Sequence, residues 1–311
     1  MAAPATELAK TSAHAGVITR PPRSLWKDAW WQFRRHRLAM VAVGTMTFLV
    51  LFSLGGPLLY HTKIDVIDFT LSLAGPSLDH PFGTDDLGRD ILARAMFGGR
   101  VSIAVGLTAV LIQITLGTTI GALAGFFNRF DNPLMRLTDL FLSLPILPLL
   151  LVIIFLFRDS LRSAFGPELG IFLMIVGVIG ILTWMPVARL VRASFLSLKQ
   201  KEFVEAARSV GVRDRRIILR HILPNVLSPI LVAATIGVGG AILTESTLSF
   251  LGLGFPPDFP TWGRILYDAR NYLDIAPHWA IFPGILIFLT VLSINFIGDG
   301  LRDATDPRKT G

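Results

Sequence analysis

Six runs free of Asp, Glu, Lys and Arg divide this sequence, at residues 38–60, 101–128, 140–157, 169–188, 222–244 and 275–298. A bilayer core of about 30 Å, at about 1.5 Å of rise per helical residue, takes about 20 apolar residues to cross. The shortest run has 18 residues. Lipid offers no water to unpaired backbone groups, so a spanning segment must be a helix or part of a closed barrel. No alternating strand pattern recurs, and helices are expected throughout. The expected fold is therefore an all-α membrane protein with six transmembrane helices. Pro145 and Pro148 fall inside the third run, where a kink is expected.

Composition agrees with this reading. The chain is 52% hydrophobic and only 16% charged, well below the roughly 25% charge of soluble domains. The net charge of +7 does not call for nucleic acid, because Lys and Arg accumulate on the cytoplasmic side of membrane proteins. With the N-terminus inside, 21 of the 29 basic residues lie on the cytoplasmic side, whose net charge is +11 against −4 outside. Both termini are expected in the cytoplasm. The first 37 residues contain no apolar stretch resembling a cleaved signal peptide. There is no cysteine, hence no disulfide or thiolate metal site.

The same topology places residues 189–221, with nine basic residues, in one cytoplasmic loop. Within it, Phe203, Ala206, Ala207 and Val210 recur at helical spacing opposite Glu202, Glu205, Arg208 and Ser209. Gly211 is placed to end this short amphipathic helix in a left-handed conformation. Asp214 is expected to cap a second helix, and Leu223 and Pro224 to open the next crossing. One reading is a basic loop lying on anionic headgroups. The other is a protruding helix that docks a protein. The two central alanines favour docking, since they let another backbone approach closely where a lipid-seeking helix shows Trp, Phe and Leu.

The spacing Glu205-Ala206-Ala207, Gly211, Leu223-Pro224 resembles the EAA loop of permease subunits of binding-protein-dependent ABC importers. The family's general form has isoleucine two residues before Leu-Pro. Here that residue is His221, and His-Ile-Leu-Pro-Asn resembles the oligopeptide/dipeptide branch. Residues 80–100 (HPFGTDDLGRDILARAMFGGR), 245–263 (ESTLSFLGLGFPPDFPTWG) and 298–308 (GDGLRDATDPR) are similar to the C-type permease of that branch. The resemblance implies a type I importer permease fold in a bacterial inner membrane. It implies a second permease subunit, two ATP-binding subunits inside and an extracytoplasmic solute-binding protein. Phe203, Glu205, Ala206, Ala207, Val210 and Gly211 would form the ATPase-coupling corner. Di- or oligopeptides are the implied substrates, and nickel chelates, opines or glutathione are alternatives within the class.

No G-x-x-x-x-G-K-[ST] motif is present, so ATP and Mg are expected on partner subunits and the chain itself is not expected to be an enzyme. A stand-alone secondary transporter would need coupling carboxylates at mid-depth, and the six runs hold none. A membrane enzyme would need a polar catalytic cluster at one depth. Glu245 and Asp139 are expected at helix ends, where snorkelling makes charge cheap, with Asp139 acting as a cap beside Arg136. Asp85, Asp86, Arg89 and Asp90 in the first outer loop read as an ion-pair scaffold or as a docking surface for the binding protein. They lack the further oxygen donors of a cation site. Residues 24–37, with Trp26, Trp30, Phe33 and Arg37 at helical spacing, suit an interfacial helix. The expected division is a tail and interfacial helix at 1–37, a first helix and outer loop at 38–100, a five-helix core at 101–298 containing the loop 189–221, and a tail at 299–311.

Overall fold

The computed structural model describes residues 25–305. The tail before residue 25, the residues after Thr305 and the side chains of Leu25, Trp26, Lys27 and Asp28 lie outside the described residues. The described part is helical, with no β-strand among its residues. A short α1 (Leu25–Arg35) leads into α2 (Arg37–Leu59), and after a long loop comes α3 (Ile91–Phe126). Then follow α4 (Asn128–Ser143), α5 (Ile146–Phe165), α6 (Pro167–Leu182), α7 (Met185–Lys199) and α8 (Glu202–Ser209). The short α9 (Asp214–Arg216) passes through a π-helical stretch, Ile217–Ile222, into α10 (Leu223–Phe250), and α11 (Trp262–Ala269) and α12 (His278–Thr305) complete the chain.

Four helical spans are long and apolar enough to cross a membrane, and six if each of two bent pairs counts as one crossing. The first pair, α4 and α5, bends by 87°. The break falls at Leu144 and Pro145, because a proline drives its predecessor out of the helical region. Pro145 thus marks the expected kink. The second pair, α6 and α7, bends by 42° just before Pro186. The boundary expected at residue 100 falls inside α3, which begins at Ile91.

Side-chain packing shows which ends of the helices share a face of the bundle. Phe33, Ala39 and Ala304 bury one another, so α1, the start of α2 and the end of α12 meet. A Cβ on Gly56 would lie 2.6 Å from Met96 Sδ, and one on Gly99 would overlap Ser53 Oγ, so the far end of α2 meets the start of α3. The end of α3 at Phe126 therefore returns to the side of the described chain ends. There it buries against α7, α8 and the π-helical stretch. Positive-inside counting makes this the cytoplasmic side.

Gly117, Gly121 and Gly125 recur every four residues on α3 and face α7. A Cβ on them would come within 2.6 Å of Val187 Cβ, 2.5 Å of the Ala188 carbonyl oxygen and 2.6 Å of Phe195 Cβ, respectively. Small residues at this period let two membrane helices touch backbone to backbone, where dispersion rather than the hydrophobic effect holds them. The α3–α7 seam is thus the rigid spine on which the cytoplasmic corner is built.

Candidate coupling surface

The chain turns from α7 into α8 through Gln200 and Lys201 and leaves α8 through Val210 and Gly211. Gly211 has φ +77°, and its N–H donates to the Arg208 carbonyl at 2.9 Å while Val212 N–H donates to the Ala207 carbonyl at 3.1 Å. These two bonds form a Schellman C-cap, which satisfies the orphan carbonyls of the last turn and reverses the chain. Asp214 does not cap α9: Arg213 holds the cap position and Asp214 is the first helical residue, where an acidic side chain favours the positive end of the helix. Pro224 lies in the first turn of α10, as expected.

The face of α8 that the periodicity grouped together is divided. Ala207 turns inward with Val204, and both are buried with Phe126, Val191, Phe195, Ile217 and Ile222. Phe203, Ala206 and Val210 face outward with Glu202 and Glu205, Phe203 being 41% and Val210 79% exposed. The helix therefore carries two surfaces. One joins it to α3, α7 and the foot of α10. The other is presented beyond the bundle. Lys199 Nζ donates to the Phe126 carbonyl at 2.6 Å and to Asn128 Oδ1 at 2.9 Å, and the Arg208 guanidinium lies 5.5 Å from the Phe126 ring centre.

Two ion pairs brace the neighbouring helices. Arg192 donates to both oxygens of Asp131, at 2.5 and 2.8 Å, and Arg189 to Asp139 at 2.5 Å, joining α7 to α4. Asp139 is thus inside α4 and paired with Arg189, not a helix cap beside Arg136. The partners are 61 and 50 residues apart, a separation without any local sequence signature.

On the opposite end of the bundle, Asp85, Arg89 and Asp90 are buried, which removes them from any docking surface. Asp85 accepts from Arg89 Nε at 2.7 Å and from the backbone N–H groups of Leu87 and Arg89 at 3.0 and 2.9 Å, with Arg94 Nε at 3.8 Å. Arg94 reaches onward to Asp268 at 3.8 Å, which Arg264 meets at 2.7 Å. Burial raises the Asp268 carboxyl above the usual range against the pull of Arg264 and Arg94. Asp90 caps α3 by accepting from Ala93 N–H at 2.7 Å, and Tyr60 and His80 bond its other oxygen at 2.6 and 2.7 Å. Gly88, at φ +73°, passes so close to Asp68 that no side chain fits there. Asp86 alone of the four acidic-cluster residues keeps partial exposure, with Tyr272 donating to it at 3.4 Å. These residues form an ion-pair scaffold that ties the first outer loop to α3 and α11.

Glu245 departs from its expected place at a helix end. It lies inside α10, fully buried, so one carboxyl does sit within a crossing. Its hydrogen-bond donors are hydroxyls, Ser249 at 2.7 Å and Ser102 at 3.2 Å.

Comparison with known proteins fits this architecture. Residues 117–311 match the family described as binding-protein-dependent transport system inner membrane component, and residues 24–76 match the N-terminal transmembrane domain of oligopeptide transport permease C. The chain is 41% identical to the dipeptide transport system permease protein DppC of Alkalihalophilus pseudofirmus over 92% of this chain and 90% of that one. It is 40% identical to the oligopeptide transport system permease protein OppC of Haemophilus influenzae, over 92% and 89%. It is 39% identical to the glutathione transport system permease protein GsiD of Escherichia coli O157:H7, over 93% and 92%. Among solved structures, the fold is similar to inward-facing conformations of the MetNI methionine ABC transporter, with TM-score 0.54 and 18% identity over 70% of this chain and 96% of that chain. With a family match across its core and relatives matched over nearly its whole length, the chain belongs to the inner-membrane permease components of binding-protein-dependent ABC importers, in the C-type branch.

Proposed function

We propose that this chain pairs with a second permease to form the translocation path of a di- or oligopeptide importer, receiving peptide from an extracytoplasmic binding protein. Two ATP-binding subunits dock beneath the pair, one of them on α8, and hold the ATP and Mg. The observation that carries this reading is the divided α8, with Val204 and Ala207 locked into the bundle and Phe203, Ala206 and Val210 turned out. A helix fixed on one side and open on the other transmits a partner's movement, because differential contact between nucleotide states is what drives a conformational change. In this reading residues 101–298 hold the transport core, residues 189–221 the coupling loop, and residues 38–100 a first helix and outer loop that brace it.

Glutathione is the second reading, favoured by the relatives named for it at nearly the same identity. Proteoliposomes containing the chain, its second permease and its ATPases decide between them when loaded outside with binding protein and labelled oligopeptide, dipeptide or glutathione. We expect ATP-dependent uptake of a peptide by the assembly, and no ATP binding above background by the chain alone. Stoichiometric ATP binding by the isolated chain overturns the proposal. Uptake of glutathione in preference to every peptide shifts it to the second reading.

A further inference from the structure

The fully buried Glu245 joins three parts of the molecule that are distant in sequence. Its Oε1 accepts from Ser249 Oγ at 2.7 Å on α10 itself, and its Oε2 from Ser102 Oγ at 3.2 Å on α3. Ser246 Oγ stands at 3.5 Å, the limit of a hydrogen bond. Ser102 Oγ in turn lies 3.4 Å from the Trp262 backbone N–H, and Ser249 Oγ 3.5 Å from Thr261 Oγ1. The Trp262 indole closes the arrangement by donating to the Ala95 carbonyl at 2.9 Å. Among the described residues no Lys, Arg or His is paired with the Glu245 carboxyl.

The segment between α10 and α11 is pressed onto this centre. A Cβ on Gly254 would overlap Ser249, and one on Gly263 would meet Ser246 Cα at 2.5 Å. The carboxyl therefore sits under backbone, in a place where water cannot stand in for a lost bond. At the other end of the same helix lies the coupling corner. Asp214–Phe250 is one helical span of 37 residues, about 55 Å long at 1.5 Å per residue. Its π-helical stretch packs Ile217 and Ile222 against Val204 and Ala207 of α8. π-Helical turns inside helices mark sites of functional adjustment.

We propose that Glu245 is a positioning residue that locks α3, α10 and the outer segment 251–262 into one body, so that movement entering α10 at the coupling corner opens or closes the outer face. This rests on the reading of α8 as the ATPase-docking helix. The carboxyl suits the task because one group accepts from two hydroxyls on different helices at once. Gln keeps an acceptor oxygen for Ser249 and offers an amide to the Ser102 oxygen. Ala removes the acceptor for both hydroxyl protons.

The test uses the assembled complex in proteoliposomes, measuring peptide uptake per ATP hydrolysed, together with one spin label at exposed Asp258→Cys in the naturally cysteine-free chain and a second on the outer face of the partner permease. In the wild-type background we expect the label distance to change with nucleotide. We expect Glu245→Gln to stay within about twofold of wild type. We expect Glu245→Ala to hydrolyse ATP at the wild-type rate, to lose about tenfold in uptake per ATP, and to lose the nucleotide-dependent distance change. Ser249→Ala, a smaller perturbation, carries the test if the Glu245→Ala variant does not assemble, with the same sign expected. Wild-type uptake per ATP in both alanine variants overturns the role of Glu245. A complex that keeps Glu245 but whose ATPase is indifferent to Ala206→Trp and Glu205→Lys overturns the docking reading on which it rests.

Discussion

With Ala206 replaced by Trp, the chain inserts into the membrane normally, but its hold on the ATPase weakens about tenfold to a hundredfold and uptake falls with it. Ala206 faces outward on α8 between Phe203 and Val210, and the small side chain permits close approach of a partner backbone. Overpacking a well-packed contact costs about 1–3 kcal/mol, which corresponds to that loss of affinity. The substitution leaves the inward pair, Val204 and Ala207, untouched, so the bundle's own packing survives. Glu205→Lys is an independent probe, since it reverses charge on the same exposed surface without altering apolar contacts. Uptake and ATPase rates in proteoliposomes, with insertion checked by protease protection, measure both. A loop lying on headgroups would behave differently, because Trp is at home there.

Asp85→Ala destabilises the outer end of the molecule by about 3–5 kcal/mol, the usual consequence of leaving buried charge without its partner. Asp85 is the counter-charge for Arg89 and Arg94, both buried, and it also accepts two backbone N–H groups. Asp86→Ala, at a half-buried position with one long bond to Tyr272, changes stability by only about 0.5 kcal/mol. Thermal unfolding of the purified complex and proteolysis within residues 60–90 distinguish the two variants. Equal effects would mean that the cluster works at the surface and not as an internal scaffold.

The crossings are legible in the sequence because bilayer thickness is a blunt physical filter, and the 87° bend of the third is legible because Pro145 forces its predecessor out of the helix. The continuous helix from Asp214 to Phe250 is not. Arg215, Arg216 and Arg220 end an apolar run without ending a helix, since hydropathy reports solvent and not backbone hydrogen bonding. Glu245 escapes for the same reason at the other end, and its partner Ser102 lies 143 residues away. On α8 the helical spacing groups Phe203, Ala206, Ala207 and Val210 on one face, whereas in the structure the buried pair is Val204 and Ala207, the second face. Only the tertiary partners Phe126, Val191, Phe195 and Ile217 decide that the second faces inward. The outer acidic cluster shows its ion-pair chemistry in the spacing of Asp85 and Arg89. Its burial depends on Arg264 and Asp268 arriving from elsewhere in the chain.

Whether α8 seats in an ATPase subunit is tested most directly by photocrosslinking from its outward face. A photoreactive amino acid placed at Ala206 or Val210 in the assembled complex should give an adduct with the mass of the ATP-binding subunit, and a thiol introduced by Ser209→Cys, exposed in the chain alone, should be protected from maleimide by assembly. Adducts from both positions with lipid alone, and none with the ATP-binding subunit, would contradict the coupling role of this helix.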